Sequence, residues 1–269
     1  MAGTAISANG NSLQTSTILT SNIDHHSGPD ANAQLLQMAH ANASGVPYVD
    51  WPKKIIPIKG QLLYTGSLAA LDQLEDTFKS YLTGTNFNLD IGYAGSTRRY
   101  ICLYTSKTVI TRPQELFDSK FDVEFTCQPW GMDTTSTTLV NLSGQTTSQL
   151  TMTPTFGGTF PLQYPVIQVT MTTVGGSPVS GTVSIGNNNN GQQVTVTRTW
   201  SSGDVLTIDT TQLLNTAPGA SQPVTVNSAP VAWSGALPEF TLGSSSIFYG
   251  DTFSSRTFSI LITNQNRYT

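Results

Sequence analysis

Short runs of alternating apolar and polar residues, separated by turn residues, dominate the second half of the sequence. The runs VIQVTM, TVSIG, QVTVTRTW and DVLTID are separated by GGSP, GNNNNG and SSGD, and VTVN, SIFYG and RTFSILIT follow. Because alternate side chains of a strand point to opposite faces, each run predicts a strand with one buried and one exposed face. About seven or eight such strands at regular spacing predict a β-sandwich or jelly roll.

The first half contains one helical pattern among further strand-like runs. In residues 67–82, SLAALDQLEDTFKSYL, large apolar residues recur every three or four positions, with Ser67 as a suitable N-cap and acidic residues on the opposite, solvated side. Residues 55–63, 87–91 and 121–127 alternate with a period of two. We predict an α+β domain of antiparallel strands with one helix packed across them.

The composition of the chain changes near residue 140, within a Thr- and Ser-rich segment at residues 133–149. Nine of the 12 Lys and Arg residues precede this point, and so do twelve of the 16 Asp and Glu residues. We therefore expect two domains, residues 1–138 and 139–269. Residues 1–45 are polar and weakly patterned, which predicts a long arm or an irregular loop.

Charged residues make up only 10% of the chain, against about 25% in an average soluble protein. The net charge is −4, and Lys and Arg are not clustered as phosphate binding requires. No apolar run approaches the roughly 20 residues of a membrane span, so no membrane insertion is expected. Cys102 and Cys127 lie in strand-like runs, which indicates reduced packing residues. Extensive burial of the surface in an assembly would explain why so few charges suffice.

The sequence contains no pattern typical of an enzyme. Asp204 and Asp209 are an odd number of residues apart on one predicted strand, so their carboxylates should point to opposite faces and cap turns. His25, His26 and His40 are not spaced like the ligands of a structural zinc site. Phosphate-binding loops and nucleophile elbows are absent as well. We expect no catalytic residue, metal or cofactor, although a distant pair of carboxylates stays open.

Two tryptophans of the second domain have two interpretations. Trp200 and Trp233 could present an indole face on which a sugar ring stacks. They could instead pack in the sandwich core or cover its edge.

A set of motifs in a fixed order suggests a family. The first domain contains IIPIKGQLL, LAALDQLEDTFKSYL, LDIGYAGSTRRYICLY and FDVEFTCQPWG; the second contains SGDVLTIDT, VTVNSAPVAWSG, LPEFTLGSSSIFY and a terminal NRY. In this order, over residues 50–269, the chain resembles the distal tail proteins of long-tailed phages with flexible, non-contractile tails. It departs from them in VTVNSAP, where they often have an Asn-Gly turn, and in the longer TQLLNTAPGASQP.

The resemblance implies a structural hub protein rather than an enzyme. Such proteins form a homo-hexameric ring that joins the tail tube to the distal tip and the receptor-binding apparatus. The first domain would form the ring around the channel through which DNA passes without specific binding. A galectin-like sandwich would project outward, where receptor-binding proteins or host surface glycans are its expected partners. The chain would belong to the virion tail tip after synthesis in the bacterial cytoplasm.

Other interpretations stay open. The chain could be a tail tube subunit with a decorating β domain, or a carbohydrate-binding β-sandwich module that uses Trp200 or Trp233. Arg98 and Arg99, at a predicted hairpin, could form ion pairs between subunits or could be solvated charges.

Overall fold

The structure, a computed structural model, describes eight segments of the chain: residues 5–24, 32–34, 48–50, 53–63, 66–93, 96–113, 118–211 and 223–268. The chain divides into two compact units, Met1–Thr134 with Thr269, and Thr135–Tyr268. Strands dominate the described residues, so the mainly-β fold class is confirmed. Within these segments no helix is long and apolar enough to cross a membrane.

The first unit contains one helix among its described residues, α1 (Leu68–Tyr81), and nine strands. The strands are β1 (Ile6–Ala8), β2 (Asn11–Ser12), β3 (Ile18–Ile23), β4 (Asn32–Gln34), β5 (Tyr48–Asp50), β6 (Lys54–Leu62), β7 (Phe87–Tyr93), β8 (Ser96–Thr111) and β9 (Ser119–Asp133). The main antiparallel sheet has the order β2-β1-β7-β8-β9-β6-β3, and β4 pairs with β5.

Residues 5–24 correct the prediction of an arm or irregular loop over residues 1–45. They form β1, β2 and β3, of which β1 pairs with β7 and β3 with β6. Ile6, Leu13 and Ile18 are buried in the core of the unit. The strands are short and separated by polar turns, so too few apolar residues fall in any one run to show a period of two. Of the predicted arm, residues 1–4, 25–31 and 35–45 lie outside the described segments.

Helix α1 begins and ends as its sequence predicts. The Ser67 Oγ accepts a hydrogen bond from the Ala70 amide at 3.1 Å, which satisfies one of the free donors of the first turn. Leu71 and Phe78 are buried against the sheet, and the Phe78 ring lies 4.6 Å from that of Phe121 in β9. The predicted packing of one helix across antiparallel strands is therefore observed.

Pro57 in β6 shows how a proline fits a strand with neighbours on both sides. Along its full length β6 pairs with β9, but its pairing with β3 extends only from Ile58 to Leu62. Pro57 lies one residue beyond that pairing, so its missing N–H removes no ladder hydrogen bond to β3. This end of β6 is therefore an edge on its β3 side, although β9 pairs with it throughout.

The second unit consists of 16 strands among the described residues. They are β10 (Thr137–Gln145), β11 (Gln149–Met152), β12 (Thr155–Phe156), β13 (Leu162–Gln163), β14 (Val166–Val174), β15 (Val179–Asn187), β16 (Gln192–Trp200), β17 (Val205–Asp209), β18 (Val224–Val226), β19 (Ala229–Pro230), β20 (Ser234–Gly235), β21 (Phe240–Thr241), β22 (Gly243–Ser244), β23 (Ile247–Asp251), β24 (Arg256–Asn264) and β25 (Arg267–Tyr268).

Two antiparallel sheets form a β-sandwich in this unit. One has the order β10-β24-β14-β17-β18-β19 and the other the order β11-β23-β15-β16-β20. Alternate residues of both sheets meet in one hydrophobic cluster, to which β14 contributes Ile167 and β15 contributes Val183. The alternating runs of the sequence therefore form two sheets whose apolar faces point inward in a sandwich, as predicted.

Candidate functional site

The two aspartates of the SGDVLTIDT run hold turns and do not form a shared site. Asp204 is only 7% exposed; its Oδ2 accepts from the Ser201 amide at 2.9 Å and its Oδ1 from Asn227 Nδ2 at 2.8 Å. Asp209 accepts at Oδ1 from the Thr211 amide at 3.0 Å. Asp209 thus acts within its own turn, whereas Asp204 also joins its turn to Asn227, which follows β18. Nowhere in the described segments do three or more His, Cys, Asp or Glu side chains form a group that could hold a metal.

The other residues singled out for chemistry divide into two groups. His25, His26 and His40 lie outside the described residues. Cys102 and Cys127 are free, buried and directly opposite each other where β8 pairs with β9. The hydrogen bond between the two thiols, together with burial, raises the pKa of Cys102. A thiol with a raised pKa carries little of the reactive thiolate, which fits packing residues.

Trp200 corrects one part of the carbohydrate hypothesis. Its side chain is 0% exposed, its ring makes a T-shaped contact with Phe253, and its Nε1 donates to the Gly181 carbonyl at 3.1 Å. An indole with no exposed face offers no stacking surface to a sugar, because β16 directs this side chain into the sandwich. Trp233 is half-buried and packs on the edge of the same core, so its stacking role stays a prediction.

Arg98 and Arg99 lie in β8, opposite Ile91 and Asp90 of β7. The Arg99 guanidinium donates to both carboxylate oxygens of Asp90, each at 2.8 Å. These hydrogen bonds raise the pKa of Arg99. A bidentate pair of this kind fixes the side chain geometrically. The charge of Arg99 is thus matched within the chain, and the predicted contact with another subunit stays untested.

Arg267 of the terminal NRY motif packs inside the second unit. Arg267 is buried, its guanidinium lies 4.0 Å from the Tyr164 ring centroid, and its carbonyl accepts from the Thr159 and Phe160 amides. Burial lowers the pKa of Arg267 to about 10, although the nearby charges of Tyr164 and Asp209 act to raise it. The motif therefore serves packing rather than an exposed site.

One face of the main sheet of the first unit is exposed and carries large apolar side chains. Four of these side chains, each between 37% and 58% exposed, point away from the core: Leu19, Ile55, Tyr104 and Val109. We call this outward face of β3, β6, β8 and β9 the sheet surface. Monomeric proteins rarely leave large apolar patches in water, and such patches mark interaction sites.

The strand register explains why these side chains share a face. Tyr104 and Ile55 both lie opposite Thr126 in the central strand β9, and their side chains cover it, so that Thr126 is buried despite its outward position. Lys53 adds its ammonium group 5.8 Å from the Tyr104 ring centroid. Two rows further along, Val109 lies opposite Asp122. The sheet surface is therefore a continuous mixture of apolar and charged side chains.

A network of charges crosses the middle of the sheet surface. Lys107 Nζ lies 2.9 Å from Asp122 Oδ2 and 3.2 Å from Glu124 Oε1, and Lys59 approaches Asp122 at 3.6 Å. The hydrogen bond from Lys107 is the main cause of the lowered pKa of Asp122. Beside this network a shallow cavity of about 350 Å³ lies between β3, β6, β8 and β9. It has the form of a surface depression rather than a closed ligand site.

The exposed side of α1 forms a second surface, which we call the helix surface; it comprises Leu68, Asp72, Asp76 and Lys79. Leu68 is 58% exposed, although the sequence placed it on the apolar face of the helix. Arg112 contacts Asp72 and donates to Glu75 Oε1 at 2.7 Å, and Ser119 also donates to Glu75. Burial alone would raise the pKa of Glu75, but these hydrogen bonds hold it below its usual value.

Sequence reasoning missed both surfaces. The acidic side of the helix was interpreted as solvated, and the alternation of β6 was used only to find its buried face. A signal was present for Ile55, which occupies a position where a half-buried strand normally carries polar residues. Tyr104 gave no such signal, because it alternates in step with the buried Tyr100 and Cys102, and only a shift of the strand register after Cys102 turns it outward.

Comparison with known proteins identifies the fold. No protein-family model and no curated protein matches the chain. The crystal structure of the SPP1 Dit protein, described as a paradigm of the hub adsorption apparatus in phages infecting Gram-positive bacteria, is similar with a TM-score of 0.66 at 11% sequence identity. The similarity covers 99% of this chain and 100% of that chain.

Two structures of the phage p2 baseplate in its activated conformation, with Sr and with Ca, are also similar. Their TM-scores are 0.46 and 0.44 at 9% and 10% identity, over 97% and 91% of this chain and 97% and 89% of theirs. The resemblance to distal tail proteins that the sequence motifs indicated is confirmed at the level of the fold by the SPP1 protein.

Proposed function

We propose that this chain, which has the fold of the SPP1 Dit protein, is the structural hub of a phage tail tip. The supporting observation is that one solved hub protein matches both compact units together, over 99% of this chain and all of its own length. Two separate modules that each resembled an unrelated protein would not produce such a match. The role is mechanical: the hub joins the tail tube to the distal tip and to the receptor-binding apparatus.

The hub forms a homo-hexameric ring around the channel through which DNA passes. A ring closes through heterologous contacts, in which two different patches of one chain meet on neighbouring copies. The first unit supports this assignment because it exposes large apolar side chains, which a chain that acted alone would bury. The low content of Lys and Arg suits a channel that does not retain DNA.

The partners follow from this placement. The tail tube protein and the tail-tip proteins bind the ring, and the second unit supports a receptor-binding protein or contacts a host surface glycan. Antibodies against the chain should label the tail tip of intact virions in electron micrographs. Labelling along the tube, or none on the virion, would contradict the location.

The ring is tested by measuring the mass of the purified chain in solution across a concentration series, with electron microscopy of the same samples. Closed six-fold rings are the expected result. Stacked tubes would instead favour a tail tube subunit with a decorating β domain. A chain that stays at 28.8 kDa at every concentration would contradict the ring.

Two residue-level parts of this function have their own tests. Replacement of Arg98 by Ala weakens the ring if this residue contacts a neighbouring subunit, whereas Arg99→Ala also breaks the pair with Asp90 and should lower the stability of the fold.

For glycan contact, Trp233→Ala should abolish binding to the bacterial cell-wall polysaccharide and leave folding intact. Val231→Ala, a neighbouring half-buried position, is the matched control.

A further inference from the structure

All large apolar side chains that are exposed among the described residues lie in the first unit, on two distinct surfaces. Four belong to the sheet surface and the fifth, Leu68, belongs to the helix surface. The two surfaces lie on opposite sides of the main sheet. Phe78 of α1 packs against Phe121 on the inward face of β9, whereas Asp122, the next residue of β9, points outward. The exposed side of α1 therefore faces away from the sheet surface.

The two surfaces also differ in charge. The sheet surface carries four lysines against two carboxylates: Lys53, Lys59, Lys107, Lys120, Asp122 and Glu124. The helix and the residue that bridges its acidic side carry three carboxylates against two cations: Asp72, Glu75, Asp76, Lys79 and Arg112. Asp76, at 79% side-chain exposure, is the most open of these carboxylates. An excess of positive charge on one surface thus matches an excess of negative charge on the other.

We propose that the sheet surface of one copy docks on the helix surface of the next copy. This inference rests on the proposed function, because it names the two patches through which the ring would close. In this contact Leu68 of one copy enters the apolar part of the sheet surface, beside Ile55 and Tyr104, and Asp76 faces its lysines. Because the patches differ, each added copy leaves one of each kind free, and addition continues until the ring closes.

The contact has two physical components with different responses to salt. The apolar side chains lose water on docking, which salt does not weaken. The charges sit in partly exposed positions, where salt at 0.1 M screens their attraction at separations beyond about 10 Å. Assembly should therefore become slower as salt is added, while the assembled state persists.

Two variants separate the surfaces. The sheet variant carries Ile55→Glu and Tyr104→Glu, which remove apolar area and excess positive charge from the sheet surface. The helix variant carries Leu68→Ser and Asp76→Lys, which remove apolar area and excess negative charge from the helix surface. All four positions are exposed, so the fold should be retained, and circular dichroism with thermal unfolding checks this. Asn141→Asp, an exposed strand position of the second unit, is the control that adds a carboxylate elsewhere.

The masses of the single variants and of their mixture are the measurement. Each variant alone should stay at the mass of one chain, 28.8 kDa, under conditions in which the unchanged chain and Asn141→Asp assemble. An equimolar mixture should stop at twice that mass, because the intact sheet surface of the helix variant can bind only the intact helix surface of the sheet variant.

The possible failures are distinguishable. If the unchanged chain forms rings and both variants form them equally well, the docking of these two surfaces is wrong and the proposed function stands. If the mixture of the two variants contained no species larger than one chain, this would also contradict the docking. If the unchanged chain assembles under no condition, the ring itself is contradicted, and the docking with it.

Discussion

In the second unit two sheets bury their apolar faces against each other, whereas in the first unit the main sheet has α1 on one face and exposes the other among the described residues. The sandwich needs no further element to bury its core, because each sheet covers the apolar face of the other. The first unit keeps apolar side chains such as Ile55 in water. This difference supports the proposal that the first unit binds a partner, whereas the second unit covers its own apolar faces.

The charges of the two units differ in the same way. In the second unit Arg256 Nη2 lies 2.9 Å from Asp251 Oδ1 with that carboxylate fully buried, and Tyr249 donates to Asp251 at 2.7 Å. In the first unit Lys107 and Asp122 pair on an exposed surface. Buried charges need their partners to avoid a desolvation cost, whereas exposed pairs contribute little to stability. The few charges of the sandwich therefore hold its turns, and those of the sheet surface are available to a partner.

The largest expected effect is on the sandwich. Trp200→Ala removes a fully buried indole and its hydrogen bond to Gly181, so the free energy of unfolding of the second unit should fall by about 3–5 kcal/mol. Denaturant unfolding measures the loss, and hydrogen–deuterium exchange localises it to the second unit. Protection that dropped equally in both units would mean that the units do not fold separately.

Removal of a large buried side chain from the first unit should lower the free energy of unfolding slightly less than Trp200→Ala does. Phe78→Ala removes a buried ring that contacts Phe121, and we expect a loss of about 3–4 kcal/mol, because α1 can move towards the gap. Leu68→Ala in the same helix is the control and should change stability by less than about 0.5 kcal/mol. Equal losses for the two variants would contradict the burial pattern of α1.

The third-largest loss of stability should come from removing the Asp204 carboxylate, which accepts hydrogen bonds at a turn of the sandwich. Asp204→Ala leaves the Ser201 amide and Asn227 without their acceptor, and we expect a loss of about 2 kcal/mol in the free energy of unfolding. Asp209→Ala, a more exposed residue that accepts from Thr211, should cost less than half of this. Thermal unfolding of the two variants side by side gives the comparison.

The smallest effect should depend on pH. Because the pKa of Glu75 is lowered in the folded chain, its stabilisation is fully present above the pKa of the unfolded chain and is lost as pH falls through the folded pKa. Glu75→Gln should cost about 1 kcal/mol at neutral pH and progressively less in acid. Unfolding measured at pH 7 and at pH 3 tests this. A loss that grew towards acid would reverse the assigned sign.

Part of the molecule could be predicted because the patterns that determine it are local. The period of two found the strands of the sandwich, and Ser67 with the apolar spacing found α1. The odd spacing of Asp204 and Asp209 predicted that the two carboxylates point to opposite faces. The prediction failed for residues 5–24, since β1, β2 and β3 are short strands at the two ends of the sheet, and burial of β1 and β3 depends on pairing with β7 and β6.

The sequence by itself determined the main strands of the sandwich, their apolar faces and the helix, because period and capping act between residues close in the chain. It also determined that the chain has few charges. Only the tertiary structure decided that Trp200 is enclosed and that Ile55, Tyr104 and Val109 share one exposed face. Register between strands brings residues together that are about 50 positions apart in the chain, and no local pattern records which face a second element will cover.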